Sequence, residues 1–463
     1  MSDSFDLVLT GGMVVNHDGI RPADVAIRSG IIVALAEPGT ELPAPEMIDV
    51  AGKYLLPGAI DPHTHFTTNV RPVGDYISRE TPSMILGGTT TVIEFLGNGE
   101  SYHLHAPEVI REIDSRSWVD VACHIILNSD QHLHELEQYV DEYGITSFKM
   151  FMAAGGRTQI YAQTWSVDDG FVYKALNKIA RYNGQVVALA HAENWEIARA
   201  LRNELEEQGR NDPSAWTESR PNICEVDGLQ RVAGLAKATG APVYAVHLST
   251  NEAPGILRES RSRGVLLYGE TCPHYLMCDK DQSTAALAKY NPAIKSKKDI
   301  EALWSGIADG TIDCIGTDHI PVRKADKEPG KENIWTARAG IPGSGTILPV
   351  LLSEGAAKRG LSLERIVAVT SYNASRLFGL WPRKGSITVG ADADIVVSDM
   401  KRHTTVSPEL LQLDFTLFDG EDFIGWPEMT ILRGQVVARD AKLAGAKPTG
   451  TYLPRSASVS TKS

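Results

Sequence analysis

The chain has 463 residues, of which 43% are hydrophobic and 22% charged, and its formal net charge is -13 at pH 7. Such a chain can hold one large domain plus a smaller one, or two to three average domains, and its acidic balance argues against a nucleic-acid partner. It contains no run of about 18 apolar residues and no signal-peptide pattern, so we expect a soluble cytoplasmic protein without membrane contact. The 5 cysteines are scattered, which is typical of reduced thiols rather than of a disulfide framework.

The two ends of the chain share one pattern, short β-rich runs punctuated by glycine. DLVLTGGMVV and ADVAIRSGIIVAL occur near the start, and GSITVGADADIVVSD and MTILRGQVVARD occur near the end. We therefore predict a small β-sandwich domain built from both termini, formed by residues 1–52 and 385–447. The tail at 448–463 lacks a core-forming pattern, and we expect it to be flexible.

Between these ends, short apolar runs alternate with stretches of helical periodicity. Apolar runs separated by helices are typical of parallel strands that are buried on both faces. Eight such units predict an α/β fold with a (β/α)8 TIM barrel over residues 53–384, and a doubly wound sheet is the structural alternative. The predicted helices include 170–182, 194–208, 225–239 and 299–309. The predicted strands are 53–61, 89–95, 119–127, 145–151, 185–191, 241–247, 264–270 and 311–318.

Polar residues stand at the carboxyl ends of several predicted strands, where the active sites of (β/α)8 barrels lie. His63 and His65 end the first strand two residues apart, so both imidazoles can point into the barrel mouth. The fifth, sixth and eighth strands end at His191, His247 and Asp318. Imidazoles and a carboxylate suit zinc or another first-row divalent metal, so the pattern predicts a metal site.

Lys149 lies in the middle of the apolar run ITSFKMF, which is a predicted buried strand. An isolated buried ammonium loses much solvation, so this lysine must reach solvent, find a partner or lose its charge. The residues alone leave these alternatives open. His319, next to Asp318, is either a hydrogen-bonding supporter of a ligand or a structural residue, and His124 and the other histidines have no predicted metal role.

Six motifs, GAIDPHTH, SFKMFMA, HAEN, VHLS, ETCPHYL and IGTDH, occur in the order and spacing of the cyclic amidohydrolases. The chain resembles the hydantoinases, dihydropyrimidinases and allantoinases of the amidohydrolase superfamily over nearly its whole length. The resemblance implies a site for two divalent metal ions, usually zinc. It implies that His63, His65 and Asp318 hold one ion and that His191 and His247 hold the other.

The resemblance also gives Lys149 a role, because this residue falls on the carbamylated lysine of the family. The CO2 adduct is an anion that bridges both metals. The implied reaction is attack of a metal-bridging hydroxide on the ring carbonyl, with Asp318 accepting the proton and passing it to the leaving nitrogen. The expected product is a ring-opened carbamoyl compound, and the expected assembly is a homotetramer or homodimer.

Several positions depart from the family pattern where the substrate would bind. Ala154 stands where D-type hydantoinases and dihydropyrimidinases have a substrate-binding tyrosine, and Tyr161 is close enough in sequence to reach back. In the motif NPAIK, Asn291 replaces a serine whose main chain binds the substrate imide, and Lys295 replaces an arginine. Gly343, in GIPGSG, is the expected site of the other main-chain contact.

The substrate class is the main open alternative. We favour hydrolysis of a small-molecule cyclic ureide of the hydantoin type to an N-carbamoyl amino acid. Allantoinase is the strongest rival, because allantoinases and L-type hydantoinases also lack the tyrosine, and Arg157 or Gln159 could meet a polar substituent. Ala154 disfavours dihydropyrimidinase, and the lack of a clear arginine-based carboxylate clamp disfavours dihydroorotase. A non-catalytic adaptor related to dihydropyrimidinase is disfavoured because every predicted ligand position is intact.

Overall fold

Five strands open the fold in a computed structural model, which describes residues 4–68, 71–97, 100–152, 166–281, 285–445 and 447–457. These strands are β1 (Leu7–Asn16), β2 (Gly19–Arg28), β3 (Ile31–Ala36), β4 (Glu46–Asp49) and β5 (Tyr54–Pro57). β1 pairs antiparallel with β2 and parallel with both β4 and β5. The glycine-punctuated start of the chain therefore forms strands, as predicted.

Eight parallel strands follow and form a barrel, in which each strand pairs with its neighbour in the chain and is buried almost throughout. The barrel closes between the first and last strands, where the His65 N–H donates to the His319 carbonyl at 2.8 Å. The predicted (β/α)8 fold is thus confirmed. The strands are β6 (Ala59–Thr64), β7 (Thr89–Leu96), β8 (Asp120–Ile126), β9 (Ser147–Phe151), β10 (Val187–His191), β11 (Val243–Ala245), β12 (Leu267–Thr271) and β13 (Cys314–Ile315).

Helices connect the barrel strands, and the four predicted ones agree to within two residues at each end with the helices Asp169–Ala180, Trp195–Glu207, Ile223–Thr239 and Lys297–Asp309. The α-helices are α1 (Val73–Leu86), α2 (Ala106–Arg116), α3 (Asp130–Tyr143), α4 (Asp169–Ala180), α5 (Trp195–Glu207), α6 (Pro213–Glu218), α7 (Ile223–Thr239), α8 (Ala253–Ser262), α9 (Pro273–Met277), α10 (Lys297–Asp309), α11 (Lys324–Lys327), α12 (Ile347–Val350), α13 (Leu363–Val367), α14 (Asn373–Leu377) and α15 (Pro408–Leu411). Within the described ranges, no helix has both the length and the apolar composition needed to cross a membrane.

Local signals set the ends of several helices. The Ser129 hydroxyl accepts the His132 N–H at the start of α3, and Gly144 ends that helix with a φ of 64°. α12 continues into a π-helical segment, Leu351–Lys358, and another, Ala368–Tyr372, joins α13 to α14. Short 3-10 turns lie at Tyr102–Leu104, Ala285–Ala288, Glu328–Lys331 and Ile334–Thr336.

Strands from the far end of the chain complete the sheet that β1 to β5 begin. They are β14 (Ile395–Ser398), β17 (Pro427–Leu432), β18 (Gln435–Arg439) and β19 (Lys442–Leu443), while β15 (His403–Thr405) and β16 (Asp422–Ile424) pair separately. β14 pairs with β5, so one nine-stranded sheet contains both termini. The Asn16 side chain also donates to the Ile387 carbonyl and accepts the Ile387 N–H, at 2.9 and 2.8 Å. The predicted β-domain is therefore built from both ends of the chain.

The boundary between sheet and barrel lies at Gly58, not before residue 53. The predicted strand 53–61 is two strands, because Tyr54–Pro57 pairs with β1 and β14 and only Ala59–Thr64 belongs to the barrel. A Cβ at Gly58 would lie 2.1 Å from Thr90 Oγ1, so glycine is needed where the chain passes from one sheet to the other.

A buried ion cluster joins the barrel to the terminal sheet. Lys384 Nζ lies 2.6 Å from Asp120 Oδ2 at the start of β8, and 2.9 and 2.6 Å from Asp392 Oδ2 and Asp394 Oδ2 beside β14. Arg433 also pairs with Asp120. Burial alone would lower the pKa of Lys384, but the three carboxylates raise it above its usual range. The cluster thus holds a charged ammonium between the two domains.

The predicted flexible tail is wrong for residues 449–457, which we call the C-terminal strap. Leu453 and Arg455 of the strap are 1% and 5% exposed. The strap is ordered because its backbone pairs with the start of β8, where the Val121 N–H donates to the Thr451 carbonyl at 2.9 Å. Residues 458–463 of the predicted tail lie outside the described ranges.

Candidate metal centre

The six side chains predicted as metal ligands belong to five strands or to the loops that directly follow them, at the carboxyl end of the barrel. Each of the six is buried. They are His63 within β6, His65 just after it, Lys149 within β9, His191 at the end of β10, His247 two residues after β11 and Asp318 three residues after β13. The barrel therefore places every predicted ligand at one rim.

His63, His65 and Asp318 form a compact group of possible metal ligands. Asp318 Oδ1 lies 3.0 Å from His63 Nε2 and 3.3 Å from His65 Nε2. One ligand atom from each residue lies within 4.8 Å of the other two. Two imidazoles and a carboxylate at this spacing fit a divalent metal ion.

His191 and His247 form a second group beside the first. Their ring centroids are 4.5 Å apart, and the His247 ring stacks on the His63 ring at 5.5 Å. His191 Nε2 lies 3.4 Å from Glu193 Oε2. The other ring nitrogen of His191, Nδ1, is therefore the candidate metal ligand. The two groups of residues meet at His63.

Lys149 lies between these groups and does not reach solvent, since it is only 1% exposed. Its Nζ is 2.9 Å from His63 Nε2 and lies over the rings of Phe95 and Phe151, at 4.5 and 4.8 Å from their centroids. Among the described residues, no carboxylate forms an ion pair with it. Burial lowers the pKa of Lys149 to about 8. Of the alternatives left open by the sequence, exposure to solvent is therefore excluded.

The protonation states of the group suit metal binding. Burial alone would raise the pKa of Asp318, but hydrogen bonds and charge from His63 and His65 hold it well below its usual range. Burial lowers the pKa of His65 to about 3, so this imidazole is neutral at pH 7. For His63 burial acts in the same direction, but the charges of Asp318 and Glu270 outweigh it and raise the pKa. A positive charge is therefore favoured between His63 and Asp318, whether a proton or a metal ion carries it.

Two of the predicted ligands have strained backbones. His247 and Asp318 have φ values of 44° and 49°, in the left-handed region that residues other than glycine rarely adopt. Such a conformation costs on the order of 1–3 kcal/mol and persists only where the surrounding structure fixes it. At Asp318 the Tyr290 hydroxyl helps to fix this backbone conformation, because it donates to the main-chain carbonyl of Asp318. The strain marks both positions as functional candidates.

The comparisons with known proteins agree with this geometry. The family model described as the amidohydrolase family matches residues 54–437. The chain belongs to the amidohydrolase family. It is 32% identical over 467 residues to a D-hydantoinase from Rhizobium radiobacter, with 97% of this chain and 99% of that protein covered. It is 30% identical over 458 residues to an L-hydantoinase from Paenarthrobacter aurescens, with 97% and 98% covered.

Solved structures extend the likeness to the fold of this amidohydrolase. The crystal structure of a dihydropyrimidinase from Brevibacillus agri matches with a TM-score of 0.89 and 31% identity, over 97% of this chain and 98% of that one. A structure of an L-hydantoinase (dihydropyrimidinase) from Arthrobacter aurescens matches with a TM-score of 0.90 and 29% identity, over 97% and 100%. The protein is accordingly a hydrolase with the barrel and terminal sheet of its relatives.

Glu270 is a supporting residue of the amidohydrolase site that the sequence analysis did not single out. Its Oε1 lies 2.6 Å from His63 Nδ1 and accepts the His247 N–H at 3.0 Å, while Oε2 accepts the Tyr244 hydroxyl at 2.9 Å. A carboxylate can only accept, so His63 Nδ1 carries a hydrogen and Nε2 is the atom directed at Asp318. The available signal was a charged residue in an apolar run, here at the last position of the predicted strand 264–270.

Glu270→Gln should weaken metal binding by about 10- to 100-fold, the usual effect of losing a carboxylate behind a metal-ligating histidine. The glutamine amide has no negative charge, so the favourable charge beside His63 is lost in either orientation. In one orientation the amide would also point an N–H at the N–H of His63 Nδ1, which disturbs the imidazole. Calorimetric titration of the metal-free protein with zinc measures the affinity. Glu204→Gln, at an exposed position of α5, is the control and should bind zinc as the original protein does. Equal affinity in both variants would contradict the role of Glu270.

Among the described residues, the hydrogen bonds and ion pairs of the His319 side chain involve no predicted metal ligand, so both of its predicted roles stay predictions. Its Nδ1 accepts the Gly343 N–H at 3.2 Å, and its Nε2 lies 3.1 Å from Glu80 Oε2. The Gly343 carbonyl accepts the Thr346 hydroxyl at 2.6 Å. Both main-chain groups of Gly343 thus have partners in the protein, and a substrate contact there would use the second lone pair of the carbonyl. The expected contact at Gly343 stays a prediction.

The remaining predicted substrate contacts fall partly outside the described residues. Ala154, with Tyr161 and the polar residues near it, lies in the range 153–165, which the structure leaves undescribed. Asn291 is half-buried and follows Tyr290, which contacts Asp318. Lys295 is buried and donates to the Arg220 carbonyl at 2.6 Å. Lys295 therefore acts within the protein here, and Asn291 is the candidate near the site.

Proposed function

We propose that this amidohydrolase hydrolyses the ring amide bond of hydantoin-type cyclic ureides and releases N-carbamoyl amino acids. One observation carries the proposal. All six predicted ligand side chains meet at one barrel rim, in a chain that aligns with proteins named D-hydantoinase and L-hydantoinase over 97% of its length. A binding module would not need this set of buried imidazoles, carboxylate and lysine.

The donor set supports two divalent metal ions, with zinc as the metal that imidazole and carboxylate ligands suit well. His63, His65 and Asp318 would hold one ion, and His191 and His247 the other. When bound, the ions supply an activated water at neutral pH and polarise a carbonyl group. The ionised state of Asp318 and the neutral state of His65 are the forms that ligands require.

Lys149 would complete the site as a carbamate. Its neutral amine forms a bond to the carbon of CO2, and one proton leaves the nitrogen. Burial favours this step because it lowers the pKa of Lys149 to about 8, so a part of the amine is neutral near neutral pH. The product is an anion between two groups of metal ligands, where an ammonium has no carboxylate partner among the described residues.

The side chain of Asp318 would also move the proton of the reaction. It would accept a proton from the attacking water as the ring amide carbon is attacked, and then donate it to the leaving ring nitrogen, which becomes the terminal nitrogen of the carbamoyl group. The Tyr290 hydroxyl holds the Asp318 main chain, and the two imidazoles hold its carboxylate, which supports a fixed position for this proton carrier. Because all six predicted ligand side chains are buried, bulk water is kept away from them.

A substrate panel tests the proposal. The purified protein, loaded with zinc and bicarbonate, should open hydantoins with small or aromatic 5-substituents, and chromatography should detect the N-carbamoyl products. Allantoin and dihydrouracil belong in the same panel. Turnover of allantoin alone would overturn the hydantoin assignment in favour of allantoinase, the rival that also lacks the tyrosine at position 154. Less than one bound metal per chain after loading would overturn the enzyme mechanism itself.

We also propose the homotetramer that the resemblance implies, with a homodimer as the alternative, and a cytoplasmic location. Light scattering coupled to gel filtration would give the mass of the assembly for comparison with the 50.3 kDa chain. A monomeric mass would contradict the proposed assembly. None of the chemistry above depends on a residue from a second chain.

A further inference from the structure

The C-terminal strap (449–457) fills a gap in the barrel wall. The carboxyl end of β8 pairs with the first half of β9, where Ile125 aligns with Phe148 and Ile126 with Lys149. Towards the opposite end of the barrel the strap replaces the missing pairing. On one side the Leu453 N–H donates to the Val121 carbonyl of β8 at 2.8 Å.

On the other side the strap meets the segment that leads into β9. The Arg455 N–H donates to the Gly144 carbonyl at 2.8 Å, and Gly144 is three residues before Ser147, the first residue of β9. The strap is therefore held by backbone hydrogen bonds to β8 and to the segment that precedes β9. It acts as an additional short strand between β8 and β9 at the end of the barrel away from the metal centre.

Arg455 extends from the strap into the barrel and contacts only neutral groups. Its Nη1 donates to Ser147 Oγ at 2.9 Å and to the Phe378 carbonyl at 3.3 Å, and its Nη2 donates to the Cys123 carbonyl. In the described part of the chain no carboxylate pairs with it. Burial lowers the pKa of this guanidinium to about 10. A buried cation without a counter-ion is costly, so a purely structural filler would more readily be apolar.

A directed series of hydrogen bonds leads from Arg455 towards the metal centre. Arginine can only donate, so Ser147 Oγ accepts from it and the serine hydroxyl donates to His124 Nδ1, at 2.5 Å. His124 Nε2 then carries the hydrogen and donates to the Pro62 carbonyl at 3.0 Å. Burial and the charge of Arg455 lower the pKa of His124 well below its usual value, as a neutral ring in this series requires. The guanidinium thus fixes the tautomer of His124.

The series ends beside two of the predicted ligands, His63 and Lys149. Pro62 directly precedes His63, and Ser147 is two residues before Lys149, so its side chain lies on the same face of β9. We propose that Arg455 of the C-terminal strap is a positioning residue for the metal centre, holding the backbone of β6 at His63 and the start of β9 below Lys149. This inference rests on the proposed metal-dependent function.

The test compares two strap variants that both lose packing. Arg455→Met keeps an unbranched chain but cannot donate to Ser147, whereas Leu453→Ala shortens a buried apolar side chain and leaves the hydrogen-bond series intact. The measured quantity is the rate at which zinc leaves the loaded protein to a chelator, followed together with the melting temperature. We expect Arg455→Met to lose zinc about 10-fold faster or more, on the scale of other residues that hold metal ligands. Leu453→Ala should lower the melting temperature but keep the original rate.

Two outcomes would overturn the inference: an unchanged zinc-loss rate in Arg455→Met, or an equal increase in Leu453→Ala. If Arg455→Met does not fold, Ser147→Ala breaks the same series with the strap intact, and it should also speed zinc loss. An unchanged rate in that variant likewise counts against the inference. Failure of the proposed function is distinguishable, because the unaltered protein would then hold less than one metal per chain before any variant is compared.

Discussion

Replacing Lys149 with alanine is expected to abolish metal binding at both positions and to reduce hydrolysis by more than about 10³-fold, because the bridging anion and the activated water are lost together. In the proposed site a carbamate on Lys149 would contact both groups of residues, and its Nζ lies 2.9 Å from His63 Nε2. Metal analysis after gel filtration gives the number of ions per chain, and the hydantoin assay gives the rate.

Removing the charge of Lys149 has a different expected effect on the stability of the metal-free protein. There Lys149 is a buried amine without an ion-pair partner among the described residues, so removing its charge should not lower stability. Lys149→Met, which preserves volume, should melt at or above the temperature of the original metal-free protein. Lys174→Ala, at an exposed position of α4, controls for the loss of a lysine and should retain metals and activity. A fully active Lys149→Ala protein would refute the bridging role.

Much of this site was predictable because its chemistry depends on strand ends. Parallel barrel strands bring their carboxyl ends to one rim, so His63, His191 and His247 meet without any knowledge of the loops. The apolar run of each strand and the polar residue at its carboxyl end are both local signals in the sequence. The same holds for α4, α5, α7 and α10, whose sequence periodicity gave their bounds to within two residues.

What the sequence could not provide depends on contacts between distant segments. The tail PTGTYLPRSASVSTKS has no hydrophobic period, and its strap becomes ordered only because β8 and β9 leave a gap beside Val121. The division of the predicted strand 53–61 at Gly58 depends on β14, more than 300 residues later. Glu270 resembled any strand carboxylate until the fold placed it against His63 and His247. Pairing across the chain, rather than local pattern, decided each case.

Lys384→Met should destabilise the fold by about 3–5 kcal/mol, the scale for removing one partner of a buried ion pair. Lys384 is the shared cation of Asp120, Asp392 and Asp394, and its side chain is 1% exposed. Without it, Arg433 beside Asp120 and the half-exposed Arg383 beside Asp392 would face three buried carboxylates, which repel one another in a medium of low dielectric constant. Denaturant unfolding at pH 7 measures the change in the free energy of unfolding.

An exposed pair in the same terminal region provides the matched control. Arg402 Nη1 lies 2.8 Å from Asp440 Oδ1, and the two side chains are 33% and 63% exposed, so Arg402→Met should cost less than about 1 kcal/mol. Equal effects of the two substitutions would contradict the role of the buried cluster. Because Asp120 also accepts the Thr451 N–H at 2.9 Å, Lys384→Met should loosen the C-terminal strap as well. Faster zinc loss in Lys384→Met than in Arg402→Met would then connect the domain interface, through the strap, to the metal centre.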